Sequence, residues 1–213
     1  MRFPNAYKGI SKVLLAEILQ LIGTVVGIVA GVFMLMVVEG DPEILLEGSL
    51  VTVGVSTVAV IVAGVVGIIA FILNLVGLVQ AKKDDNGFRY ALIFTVICIV
   101  LAIVAAFIVN INPVLSDWMS FVVTIFELCV FEYVVVGIMS LAQKLGDEKM
   151  VAFGSKMRLI ITILYIVVLV MQLFGRFNIA FAGVMTTILG IIELVLYIAY
   201  LIYLIKARTM LAK

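Results

Sequence analysis

Residues 179–205 read IAFAGVMTTILGIIELVLYIAYLIYLI, an apolar run broken by a single charge, Glu193. About 20 helical residues cross a hydrocarbon core of about 30 Å, and an apolar run this long has neither the alternation nor the turn spacing of a barrel strand. In lipid a helix satisfies its own backbone, so the run predicts a membrane-spanning helix. Thr186, Glu193, Tyr197 and Tyr200 follow one another at helical spacing and share a face of it. An acidic residue at the centre of a span costs about 2.5–3.5 kcal/mol on insertion scales. That face is therefore expected to point into a bundle or a wet cavity.

Working outward, five more runs of this kind precede it. The spans are placed at 13–38, 50–79, 90–110, 115–141, 157–174 and 179–205. A hydrophobic share of 66% with 13% charged residues is far from the roughly half apolar and one-quarter charged of a soluble domain. The expected fold is all-α: a polytopic helical membrane bundle of six spans forming one transmembrane domain over 1–213. The run from Val13 is too long for the apolar region of a signal peptide, so it is read as the first span. Gln172, Gly175 and Arg176 crowd the end of span five and suit a short or re-entrant helix there; residues 147–153 ahead of it suit a short interfacial helix.

Charge in the connections gives the orientation. The net charge of +1 hides a strong segregation. Arg2, Lys8 and Lys12 precede span one; Lys82, Lys83 and Arg89 separate spans two and three; Lys144, Lys149, Lys156 and Arg158 separate four and five; Lys206, Arg208 and Lys213 follow six. The opposite connections carry Glu39, Asp41, Glu43 and Glu47, then Asp117, and only Arg176 among basic residues. By the positive-inside rule both termini are cytoplasmic in a multi-pass protein of the cell (plasma) membrane. Trp118 suits an outer interface anchor, and Tyr7, Tyr90 and Tyr203 inner ones. Asn112 or Ser116 suits the cap of the fourth helix, with Pro113 tolerated at its start.

Two inner loops resemble each other. Gln80 leads to Asp84-Asp85, Phe88 and Arg89; Gln143 leads to Asp147-Glu148, Phe153 and Lys156. This fits three in-out-in hairpin repeats, and equally the common composition of short cytoplasmic loops. Spans one and two carry small residues at helical steps, Gln20, Gly23, Gly27 and Gly31 on one and Gly67, Asn74 and Gly77 among those of the other, which predicts close antiparallel packing. Glu17, Gln20 and Asn74 lie at compatible depth for a structural polar cluster.

The remaining candidates for chemistry are acids within spans. Glu127 and Glu193 fall near the middle of spans running in the same direction, and no span supplies a Lys or Arg at their depth. Burial disfavours the charged form of an acid, so a proton or a bound cation is expected to neutralise them. Glu132 lies about 140° around the helix from Glu127, so one face cannot hold both. Glu127, Glu193, Tyr197, Tyr200 and Glu132 are thus the candidate ligand- or proton-binding residues, with the tyrosines able to offer π faces to an organic cation.

Several classes are disfavoured. The chain has no histidine, no GxSxG, no nucleophile beside a base and no phosphate-cradling glycine loop, so catalysis, a metal site and a bound cofactor are not expected. Cys98 and Cys129 fall in spans without a CxxC and read as packing residues. Nothing suggests nucleic acid as a partner. Two readings stand: a carrier, channel or membrane-embedded solute-binding subunit for a proton, cation or small polar solute, and a structural, regulatory or immunity-type protein that binds a membrane-protein partner, or a second copy, within the bilayer.

Overall fold

A computed structural model describes residues 2–38, 45–177 and 179–212, and the side chains of these outside 30–56, 60, 175–191 and 193. Among the described residues there is no strand. Six helices follow in order: α1 (Pro4–Val38), α2 (Leu45–Ala81), α3 (Asn86–Ile108), α4 (Pro113–Leu145), α5 (Glu148–Phe177) and α6 (Ile179–Leu211). All six include a stretch long and apolar enough to cross a membrane.

Most helices outrun the apolar runs that announced them. α4 has 33 residues and α6 has 33, about 50 Å at 1.5 Å per residue, against a hydrocarbon core of about 30 Å. The excess lies chiefly at the basic end, where α1 starts nine residues before the first apolar run and α6 ends six residues after the last. α5 departs most from expectation. It is one helix of 30 residues, neither short nor re-entrant, and residues 148–153 are its first turns instead of a separate interfacial helix. The physical reason is continuity: no proline lies within 148–177, and Gly154 is buried inside the helix against Met139 and Tyr203 instead of ending it, so nothing stops an already nucleated helix from propagating into the apolar run.

Contacts divide the chain into two compact units, Met1–Ser11 with Gly77–Lys213, and Lys12–Val76. In the first, α3 packs on α4, α4 on α5 and α5 on α6. Its core gathers at the basic end, where Phe88, Val135, Ile138, Leu141, Ile161, Tyr203 and Leu204 are fully enclosed. At the other end Phe107, Ile111 and Val114 are exposed, as suits side chains solvated by lipid tails. Tyr203 is therefore a core residue and not an interface anchor, its hydroxyl donating to the Val135 carbonyl at 3.3 Å. Tyr90 does remain half exposed.

Glycines set the closest approaches. A Cβ on Gly87 would lie 2.6 Å from the Cα of Gly137, joining α3 to α4 backbone to backbone, and the Phe88 ring covers Gly137. A Cβ on Gly9 of α1 would lie 2.5 Å from the Gly77 carbonyl oxygen of α2. In the second unit a Cβ on Gly23 would be in ordinary contact with Ala63 and Val66, whereas around Gly27 and Gly67 there is open space. The small-residue seam of the first hairpin is thus in use at Gly23 and at Gly77 but not at Gly27 or Gly67. Gly31 lies outside the described side chains.

Candidate functional site

α4 supplies a polar face whose rotation is set at its first turn. Asn112 is the N-cap, accepting from the Leu115 N–H at 3.0 Å, with Pro113 opening the helix. Ser116 does not cap. Its hydroxyl donates 3.0 Å to the Ala105 carbonyl of α3. Asp117, Ser120, Thr124 and Glu127 then follow in steps of three and four residues and occupy one side of the helix. Asp117, Ser120 and Glu127 are exposed and Thr124 is half-buried. The Ser120 and Thr124 hydroxyls donate back to carbonyls one turn earlier, at 3.0 and 3.2 Å, which lets them sit on an apolar helix without an unmet donor.

The same face closes one turn further on. Phe131 meets Tyr200 of α6 edge to face at 4.8 Å, and Tyr165 of α5 lies 5.9 Å from it. Below them Val135 accepts from Tyr203, and Ile138 is fully buried. A stripe that is polar and open over three turns thus ends on an aromatic floor made by α4, α5 and α6. Tyr200, read from sequence as a ligand-facing residue, belongs to that floor. Tyr197, one turn earlier on α6, is half-buried. The Glu193 side chain lies outside the described residues.

Glu132 is placed elsewhere. Its carboxylate takes Arg158 Nε of α5 at 2.7 Å on one oxygen and the Thr162 hydroxyl at 2.8 Å on the other. It is a bridge between α4 and α5, a quarter-turn and more away from Glu127. Its charge groups Arg158 with the basic connection, but it lies inside α5, which begins at Glu148, and is within reach of Glu132. In the first hairpin Asn74 donates to Glu17 at 3.3 Å, and Glu17 is buried, which joins two of the three residues of the expected cluster. Gln20 has an exposed side chain, with its carbonyl accepting from Thr24.

A second polar centre, at the basic end, escaped the sequence reading except as a mark of repetition. Asp84 accepts from Asn5 Nδ2 at 3.0 Å and from the Ala6 N–H at 2.7 Å, tying down the first turn of α1. Asp85 caps α3 through the Gly87 N–H at 2.9 Å and also takes the Ser140 hydroxyl at 2.5 Å and Lys144 Nζ at 2.8 Å from α4. Burial pushes the Asp85 carboxyl up, but the bonds from Lys144, Ser140 and Gly87 with the Lys144 charge outweigh it, so it sits below its ordinary value of 3.8. Asp147 caps α5 in the same manner, through the Met150 N–H at 3.0 Å. The signal available in sequence was the acid two residues before Gly87, a pattern of N-caps.

Beside this clamp is a cleft of about 470 Å³ between the 82–87 segment and α4, its rim formed by Lys82, Lys83, Lys144, Tyr90, Tyr133 and Ser140. Among the described residues no three Cys, Asp or Glu side chains gather closely enough to hold a metal ion. No known protein family, curated protein or solved structure matches this chain.

Proposed function

We propose that the chain is a multi-pass protein of the cell membrane with both termini cytoplasmic, working as a carrier, channel or membrane-embedded solute-binding subunit in which Glu127 and Glu193 bind a proton, a cation or a small polar solute. The observation that carries this reading is the α4 face: Asp117, Ser120, Thr124 and Glu127 form an open polar stripe that ends on the Phe131–Tyr200 contact. A helix facing only lipid gains nothing from such a stripe, and an acid within a span is tolerated where it borders water, a ligand or protein. Glu127 sits at the foot of the stripe, one turn above the floor. Glu193 precedes Tyr200 by two turns in α6 and supplies the second carboxyl. Glu132 is held by Arg158 and serves as a fixed strut.

The test is thermal stabilisation of the detergent-solubilised protein across alkali cations, protons and small organic amines. Stabilisation by a member of this set, abolished in both Glu127→Gln and Glu193→Gln with insertion intact, is the expected result. Unchanged stabilisation in both variants sinks the reading.

The alternative, a non-catalytic protein that binds a partner within the bilayer, draws support from Gly27, Gly64 and Gly67, around which a Cβ would meet open space. Helices approach closely where such glycines lie. A dedicated membrane partner lost on Gly67→Leu would favour it.

A further inference from the structure

We infer that the cleft at the basic end is a binding site for the phosphate of an anionic phospholipid headgroup from the leaflet facing that end. This rests on membrane insertion in the proposed orientation and not on transport. The cleft has a volume of about 470 Å³, the scale of a small-molecule site. Three lysines border it. Lys144 is engaged by Asp85, and both aspartates of the lining have their oxygens occupied by internal donors: Asp84 by Asn5 and the Ala6 N–H, Asp85 by Gly87, Ser140 and Lys144. Lys82 and Lys83 have exposed side chains and no partner among the described contacts; Asp84 keeps its charge but has both oxygens turned to Asn5 and the Ala6 N–H, so the cleft has a net positive charge carried by two lysines that no acid engages.

The aromatic lining places it at a headgroup level. Tyr90 of α3 and Tyr133 of α4 stand 5.3 Å apart, and Tyr90 is 50% exposed. Each has an apolar ring and a polar tip, the combination found where hydrocarbon gives way to headgroups. One turn further along α4 the lining is Val136, and two turns further Ser140. A headgroup phosphate at Lys82 and Lys83 would thus leave its glycerol and upper acyl segment beside Tyr90. Basic pockets between spans on the cytoplasmic side recognise anionic lipids on this principle, at about a factor of five in affinity per lysine.

The experiment is native mass spectrometry of the full chain from micelles doped with equal phosphatidylglycerol and phosphatidylcholine, with inorganic phosphate as competitor. The expected result is preferential retention of phosphatidylglycerol, reduced about tenfold or more in the K82A/K83A protein and unchanged in K149A/K156A, whose lysines are exposed on α5 away from the cleft. Equal retention of both lipids, or loss of phosphatidylglycerol to the same extent in both double variants, overturns the inference. Displacement by millimolar inorganic phosphate overturns the lipid as its source and assigns the cleft to a soluble phosphate.

Discussion

Single side chains separate the acids of this protein into three kinds. Asp84 and Asp85 are fasteners, holding three helix ends through five hydrogen bonds in which every donor has a stated partner. Loss of the Asp85 carboxyl in Asp85→Ala removes a helix cap and an ion pair together, and denaturant unfolding in detergent should register a loss of about 1–3 kcal/mol. Because the folded-state value of Asp85 is depressed, its contribution is present above the ordinary carboxylate range and is lost as pH falls through the lowered value. The stability gap between wild type and Asp85→Asn should therefore be flat from neutral pH to about pH 5 and shrink only below about pH 4. Glu132 is a strut, and Glu132→Gln should destabilise the bundle by weakening the Arg158 bridge between α4 and α5. Glu127, exposed on its helix, should tolerate Gln with little change in unfolding, so a loss of solute response in Glu127→Gln is a loss of binding and not of fold.

At the scale of helices, existence and order were legible because apolar runs of about 20 residues have few physical alternatives. Their ends were not. Hydropathy reports the part of a helix that contacts hydrocarbon, whereas α1, α4, α5 and α6 continue past it as polar-faced helices whose ends are set by caps, at Gly146 for α4, the one residue with a positive φ, 73°, among the described residues. Arg158 counts with the basic connection by its charge although it lies within the run at 157–174, and charge alone does not show that it reaches Glu132 from α5. Small-residue seams were legible as composition but not as contacts: periodicity marks which residues share a face, and only packing decides which of them meet a neighbour. Gly87→Ala should cost about 1–3 kcal/mol, since a Cβ there meets Gly137 backbone that cannot yield without parting α3 from α4. Gly27→Ala should be neutral or gain up to about 1 kcal/mol, its Cβ meeting nothing. Equal effects of the two in the same unfolding assay would contradict the packing described for these helices.

At the largest scale, the unit of Met1–Ser11 and Gly77–Lys213 is tightly packed at its basic end and open and apolar at the other. Phe131, Tyr165, Tyr200 and Tyr203 lie where the α4 face passes from one to the other. The charge pattern predicts that terminal reporter fusions read out the same, cytoplasmic, compartment at each end. The most direct measurement is thiol accessibility along α4 in a protein carrying Cys98→Ser and Cys129→Ser, with single cysteines placed in turn at Ser120, Thr124, Glu127, Val135 and Ile138. A membrane-impermeant, charged methanethiosulfonate applied from the side opposite the termini should modify the first three positions and spare the last two. Protection of Ser120, Thr124 and Glu127 from that reagent, with modification only by a lipid-soluble maleimide, would contradict a water-lined path to Glu127.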